Sequence, residues 1–276
     1  MKIAKVINNN VISVLQTDGS ELVIMGRGIA FQKKIGEEVD QEKIEKIFTL
    51  KNKQTSDNFK MLLREVPIEL MVLVEEIIQY AKTKLGKTLN ENIYVSLTDH
   101  INFAIERYQK GAEIKNALLW EIKQLYREEF LVGKKALEQV NQKFNISLPE
   151  DEAGFIAIHL INAEMNEDVA NTISITKFIQ RIINIVKYHF NVEFEEESLN
   201  YFRFITHLKF FAQRIFNGTH YENDDDYLYI MIKQKHKEAA ICTEKIKDYI
   251  KHTYNHDLTN EEMLYLTIHI ERVVNR

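Results

Sequence analysis

The chain has 276 residues, of which 45% are hydrophobic and 28% are charged, and its net charge is −5. This length predicts two or three domains rather than one. No stretch approaches the roughly 18 unbroken apolar residues of a membrane span, so membrane insertion is not expected. A single cysteine, Cys242, excludes an internal disulfide and a cysteine-rich zinc site. Together with the absence of a secretory cleavage pattern, this predicts a cytoplasmic protein.

The first 31 residues are rich in valine and isoleucine, which favours β structure. The pattern predicts three strands, near residues 2–7, 10–16 and 21–25. Asp18-Gly19 between two apolar runs is typical of a hairpin turn. Gly26 and Gly28, on either side of Arg27, permit a sharp bend or a close backbone approach. A β domain of about 55 residues has a marginal core of its own, so we expect a homodimer.

From Pro67 onward the pattern changes to long amphipathic segments that predict helices. Pro67 stands before the first turn of one segment, and Gly86 stands just beyond its last turn. Pro149 again stands at the head of an apolar-periodic run. The two prolines of the chain therefore mark helix starts instead of breaking helices.

Two sequence blocks recur in the helical region about 107 to 110 residues apart. DHINFAIERYQKG, from Asp99, matches THLKFFAQRIFNG, from Thr206. LPEDEAGFIAIHL, from Leu148, matches LTNEEMLYLTIHI, from Leu258. Such self-similarity predicts a duplicated domain. We therefore predict a multidomain protein with a small all-β domain at 1–56 and two homologous all-α domains at 57–169 and 170–276.

Four of the nine histidines occupy equivalent positions in the two copies: His100, His159, His207 and His269. Arg107 and Arg214 each follow the first histidine of their copy by seven residues, so each arginine shares a helix face with that histidine. An anion at the imidazole could be met by this arginine. A lone histidine in an apolar helix is more often a hydrogen-bonded core residue, but the repetition favours a reactive function.

Histidine is neutral near pH 7, and its ring nitrogen can attack a phosphoryl donor. The product carries roughly two added negative charges, which would bias a packing equilibrium and so act as a switch. The sequence has no HExxH zinc motif and no GxxxxGK[ST] phosphate loop. We expect no enzymatic turnover and no cofactor. Carboxylates such as Asp99 and Glu164 have no metal-ligand spacing, so no metal is expected either.

Polar and aromatic residues of the first domain suit an RNA ligand. Lys5, Asn8, Asn10 and Arg27 can reach base edges and phosphates, and Phe31 could stack on an unpaired base. Each also has an ordinary explanation: the asparagines as a turn, Phe31 as core, and Lys5 as solvated surface. Residues 1–55 carry a net charge of +2 and the rest −7, which weakly favours an anionic partner for the first domain.

The opening KIAKVINNNVISV, the block MGRGIAFQKKIG and both pairs of histidine blocks resemble the BglG/SacY family of antiterminators over the whole chain. The resemblance implies an N-terminal RNA-binding domain that forms a symmetric β dimer. It would bind a leader-RNA hairpin and prevent the overlapping terminator from forming. By matching motif positions, the resemblance implies RNA contact by Lys5, Asn8, Asn10, Gly26, Arg27 and Phe31.

The two helical domains resemble phosphotransferase regulation domains. The resemblance implies phosphorylation of His100 and His159 in the first domain and of His207 and His269 in the second. A sugar-specific phosphotransferase permease would act negatively through the first domain, and the phosphocarrier HPr would activate through the second. The implied target is a sugar-utilisation operon, with β-glucosides as the expected inducers. Thr206 replaces Asp99 in the second copy, so the two environments are not expected to be identical.

Two other functions fit parts of the sequence. A phosphoryl-carrier protein of the phosphotransferase system would use the same histidines to relay phosphate to an acceptor molecule. A DNA-binding activator with similar regulatory domains is disfavoured, because the first 55 residues predict strands instead of a helix-turn-helix.

Overall fold

The computed structural model describes residues 1–16, 21–49, 53–166, 169–218 and 226–275. The chain divides into two compact units, Met1–Val169 and Ala170–Arg276. Four strands open the first unit, and the elements that follow them are helical. The predicted fold class, a small β domain followed by helical regions, is confirmed.

The four strands form one antiparallel sheet in the order β1-β2-β3-β4. Their bounds are Ile3–Asn8 for β1, Val11–Leu15 for β2, Glu21–Met25 for β3 and Lys46–Thr49 for β4. β2 pairs with β3 as the hairpin pattern predicts, with Leu15 opposite Glu21. The turn residues Asp18 and Gly19 lie outside the described residues. A core of aliphatic side chains covers one face of the sheet, including Ile12, Ile24 and Ile29.

Helix α1, Lys53–Leu62, follows the sheet directly and was not anticipated from the sequence. Its Phe59 is fully buried and packs edge-on against Phe48 of β4 and Tyr94, with ring centroids 5.1 and 6.3 Å apart. Lys60 of α1 pairs with Glu21 of β3 at 2.6 Å. These contacts attach the start of the helical region to the sheet.

Among the described residues of the first unit, five further helices follow. They are α2 (Ile68–Leu85), α3 (Ile93–Gln109), α4 (Leu119–Leu125), α5 (Arg127–Phe144) and α6 (Glu150–Met165). Pro67 and Pro149 directly precede α2 and α6, and Gly86 ends α2 with a φ of 63°, as the sequence predicts. Gly133 lets α5 approach α6 closely, because a Cβ there would overlap the carbonyl oxygen of Ala153.

The second unit repeats this helical order. Its helices are α7 (Val169–Phe190), α8 (Leu199–Asn217), α9 (Asp226–Lys235), α10 (Lys237–Tyr254) and α11 (Asn260–Val274). Thr259 and Glu262 form a capping box that fixes the start of α11. Cys242 is fully buried in α10. In the parts of the chain that the structure describes, none of the helices is long and apolar enough to span a bilayer.

Candidate functional site

The two histidines of the first repeat meet between α3 and α6. The rings of His100 and His159 have centroids 4.9 Å apart and are tilted by 41°. Both residues are half-buried. Nδ1 of His159 is buried and has no hydrogen-bond partner among the described residues. Nε2 of His100 is buried as well, so each ring of the pair has one nitrogen that is shielded from water.

A buried carboxylate, Glu152, joins His100 to Arg107. Nη2 of Arg107 lies 2.8 Å from Oε1 of Glu152, and Nε2 of His100 lies 3.1 Å from Oε2, although the latter pair is not aligned as a hydrogen bond. Arg107 thus meets an anion beside the imidazole, but that anion is supplied by α6 of the protein. Glu152 is not among the site residues predicted from the sequence. Its position recurs as Glu262, four residues after the leucine of each repeated block, which was the available signal.

The second pair has a different geometry. His207 of α8 and His269 of α11 are stacked, with centroids 3.6 Å apart and an interplanar angle of 26°. Oη of Tyr265 lies 2.7 Å from Nδ1 of His207 and 3.3 Å from the carbonyl oxygen of His207, to which it donates. The guanidinium of Arg214 lies 5.1 Å from the Tyr265 ring. The equivalent residue in the first repeat is Phe155, which has no hydroxyl.

Burial favours the neutral form of His159, His207 and His269. It lowers the pKa of His159 to about 3, with a smaller contribution from His100. It also lowers the pKa of His269 to about 4, together with the charges of His207 and Arg272. The pKa of His207 is lowered by burial and then by nearby arginines. A neutral imidazole has the lone pair that phosphoryl transfer requires.

Most of the RNA-contact candidates meet at one end of the sheet. Oδ1 of Asn10 accepts a hydrogen bond from the backbone N–H of Gly28 at 2.8 Å, and the carbonyl of Asn10 accepts one from Gly26 at 2.9 Å. Oδ1 of Asn8 accepts from the N–H of Asn10. The asparagines therefore do form a turn, and that turn aligns them with the segment Gly26–Phe31. Lys5 lies apart from this turn, exposed in the middle of β1.

The exposure of these residues separates structural from contact roles. Arg27 has 82% of its side chain exposed, and Phe31 is 60% exposed, so Phe31 is not a core residue. Gly26 is buried, and a Cβ there would overlap the carbonyl oxygen of Lys43. Arg27 and Phe31 can reach a ligand directly, whereas Gly26 is required by the packing of the turn.

The start of the helical region lies against this surface. Nδ2 of Asn8 donates to the carbonyl of Leu63 at 2.5 Å, and Nη2 of Arg27 lies 3.7 Å from Oε1 of Glu69. A small cavity lies between the Asn8–Asn10 turn and the start of the helical region. Its lining includes Asn10 from the turn and Pro67 from the helical region. The segment between α1 and α2 therefore borders the candidate RNA surface.

Across the described ranges, no group of three or more His, Cys, Asp or Glu side chains could hold a metal ion.

The model of the CAT RNA binding domain matches residues 1–57, and that of the PRD domain matches twice, at residues 75–163 and 180–273. The crystal structure of GlcT CAT-PRDI superimposes with a TM-score of 0.52 at 38% identity. It covers 59% of this chain and 97% of that chain. The sheet and the two helical repeats thus correspond to recognised domain types.

Two curated relatives match from end to end. Transcription antiterminator LicT of Bacillus subtilis (strain 168) is 64% identical over 276 residues, which are all of both chains. The beta-glucoside operon antiterminator of Dickeya chrysanthemi is 45% identical over 273 residues, covering 99% of this chain and 96% of the relative. With an N-terminal CAT RNA binding domain, two PRD domains and this identity, the chain belongs to the BglG/SacY family of transcription antiterminators.

Proposed function

We propose that this protein is a transcription antiterminator of a sugar-utilisation operon, with a β-glucoside operon as its target. It binds a hairpin in the leader RNA and prevents the terminator from forming. The observation that carries this proposal is the CAT RNA binding domain match over residues 1–57, where the exposed Arg27 and Phe31 stand beside the Asn8–Asn10 turn. Two antiterminators, one of them of a beta-glucoside operon, are its full-length relatives.

In this proposal the RNA is held by the turn at one end of the sheet. Arg27 binds a phosphate or base edge, Phe31 stacks on an unpaired base, and Asn8, Asn10 and Lys5 contribute polar contacts. Gly26 supports the turn. The small sheet functions as a homodimer, which supplies the core area that a domain of this size lacks alone. RNA binding then belongs to the domain at 1–56, and regulation belongs to the domains at 57–169 and 170–276.

Regulation in this proposal comes from phosphorylation of the four repeated histidines. A sugar-specific permease acts through His100 and His159, and HPr acts through His207 and His269. The protein accepts phosphate as a signal and does not turn over a substrate, so it is not an enzyme and needs no cofactor. Its place is the cytoplasm, where nascent RNA and phosphocarriers meet.

The charges around the two pairs support opposite effects of phosphorylation. A phosphoryl group on His100 would lie beside the carboxylate of Glu152 and compete with it for Arg107, which loosens the contact between α3 and α6. A phosphoryl group on His207 would face Arg203 and Arg272, whose charges already act on that ring. Repulsion in the first domain suits the negative input from the permease. Attraction in the second domain suits the positive input from HPr.

Binding of the full chain to the leader hairpin of the adjacent sugar operon tests the proposal. Arg27→Ala is expected to weaken binding at least tenfold and to reduce the salt dependence, because an exposed guanidinium contact is lost. Lys143→Ala, an exposed cation on α5, is the control and should bind as the wild type does. No binding by the wild type, with rapid passage of phosphate to an acceptor, would favour the phosphoryl-carrier function instead.

A further inference from the structure

The hydroxyl of Tyr265 makes two contacts with a single histidine. Oη lies 2.7 Å from Nδ1 of His207 and 3.3 Å from the carbonyl oxygen of the same residue. A phenol has one hydrogen to donate and oxygen lone pairs to accept with. A carbonyl oxygen can only accept, so Tyr265 donates its hydroxyl hydrogen to the carbonyl oxygen of His207.

Both contacts are hydrogen bonds at once only if Nδ1 of His207 is the other donor. Nδ1 then carries the ring hydrogen and donates it to Oη, while Nε2 carries the lone pair. The other tautomer would place two acceptors, Nδ1 and the carbonyl, on one hydroxyl hydrogen. The arrangement therefore selects one of the two neutral forms of His207.

The first domain lacks this device. Phe155 stands where Tyr265 stands in the second domain, and its ring centroid is 5.7 Å from that of His100. Nε2 of His100 instead lies 3.1 Å from the carboxylate of Glu152. That contact is not aligned as a hydrogen bond, so it does not assign the ring hydrogen of His100 to either nitrogen. His100 and His207, the first histidines of the two repeats, thus have different ring contacts.

We propose that Tyr265 is a positioning residue that fixes His207 as its Nδ1–H tautomer and so makes Nε2 the phosphoryl-accepting nitrogen. The inference rests on the proposed function, in which His207 accepts phosphate. Burial and nearby arginines keep the ring neutral, which supports its use as a nucleophile.

The step balances with a phosphohistidine donor. The lone pair of Nε2 attacks phosphorus, a new N–P bond forms, the P–N bond of the donor breaks, and its electron pair returns to the donor imidazole. The hydrogen stays on Nδ1 of His207. Because the ring becomes positively charged, its Nδ1–H bond to Oη of Tyr265 strengthens during transfer. Tyr265 thus acts through His207 and touches neither the donor nor the phosphoryl group.

The tautomer is measured first, without any phosphoryl donor. Long-range proton–nitrogen correlation spectra of the full chain labelled with ¹⁵N-histidine identify which ring nitrogen of His207 carries hydrogen, with His207→Gln for assignment. We expect the Nδ1–H form in the wild type and a shift toward the Nε2–H form in Tyr265→Phe. Tyr249→Phe removes a tyrosine hydroxyl from α10 of the same unit and should leave His207 unchanged. An Nε2–H form in the wild type, or an unchanged tautomer in Tyr265→Phe, overturns the inference.

Phosphorylation is measured second, with phosphoramidate as a small chemical donor and phosphorylated HPr as the protein donor. We expect phosphate on Nε2 of His207, and an initial rate about five- to tenfold lower in Tyr265→Phe, as for the loss of one hydrogen bond. Phosphate on Nδ1, or equal rates in both proteins, overturns the inference and leaves the proposed function intact. Failure of HPr alone, with Nε2 still modified by phosphoramidate, counts against the proposed function and supports the inference.

Discussion

Glu152 is a buried carboxylate that balances the buried charge of Arg107 between α3 and α6. Glu152→Gln removes that balance and leaves a cation in a site of low polarity, which is expected to cost about 3 kcal/mol of unfolding free energy. Urea unfolding followed by fluorescence of Trp120, the single tryptophan, reports on this unit. Glu138→Gln removes an exposed pair with Lys135 and should change stability by less than about 0.5 kcal/mol. Equal effects of the two variants would contradict this account of Glu152.

His159 makes the first unit sensitive to acid. Its pKa is lowered to about 3 by burial, whereas the unfolded chain binds this proton near pH 6.5. The contribution of His159 to the free energy of unfolding is therefore complete above pH 6.5. It falls as the pH drops toward 3, by about 2 kcal/mol at pH 5. His159→Gln should lose this part of the pH dependence in urea unfolding at pH 7 and pH 5. His252→Gln, at an exposed position, should keep the pH dependence of the wild type. An unchanged pH dependence in His159→Gln would contradict this account of His159.

At the scale of single residues, the sequence repeat indicates the four histidines and the two arginines as candidate site residues, because equivalent residues stand at equal offsets in both copies. It did not identify Glu152 or Tyr265. Glu152 meets Arg107 across 45 residues of chain, so its role depends on how α6 packs on α3. Tyr265 differs from Phe155 by one hydroxyl, and only the distance to His207 shows what that hydroxyl does.

The helix pair α5 and α6 depends on Gly133. Gly133→Ala adds a Cβ that overlaps the backbone of Ala153, so the helices must separate, and we expect a loss of about 2 kcal/mol despite the higher helix propensity of alanine. Gly154→Ala is the matched control, since its Cβ would meet the side chains of Asn116 and Leu119 at 2.7 and 2.9 Å, which can move. Urea unfolding should rank Gly133→Ala as the less stable variant. The reverse order would show that α5 and α6 are not closely packed at Gly133.

Elements with a strong local pattern were predicted well. β1 to β3 follow alternating apolar runs, and α2 and α6 begin after prolines. β4 has only four residues, and its buried side chain is Phe48. Helix α1 is largely polar, and its Phe59 is buried because Phe48 and Tyr94 are nearby. Both elements depend on tertiary contacts that a local pattern does not contain.

Across the first unit, the helical region adjoins the surface proposed for RNA. Glu69 holds a carboxylate 3.7 Å from the guanidinium of Arg27, so it would compete with an RNA phosphate bound there. Glu69→Gln is therefore expected to tighten RNA binding by the full chain about two- to fivefold, as for one exposed ion pair. Glu76→Gln changes the charge of α2 equally at an exposed position and should have no such effect. Binding that is weaker in Glu69→Gln than in the wild type would show that Glu69 assists RNA binding.

We expect phosphate on the second histidine pair to control RNA binding by the first domain. The most direct measurement is the affinity of the full chain for its leader hairpin before and after phosphorylation by HPr, with His207→Ala/His269→Ala as the control. We predict at least tenfold tighter binding after phosphorylation, and no change in the control. Equal affinities of the phosphorylated and unphosphorylated wild type, with phosphate shown to be on His207 or His269, would contradict the account.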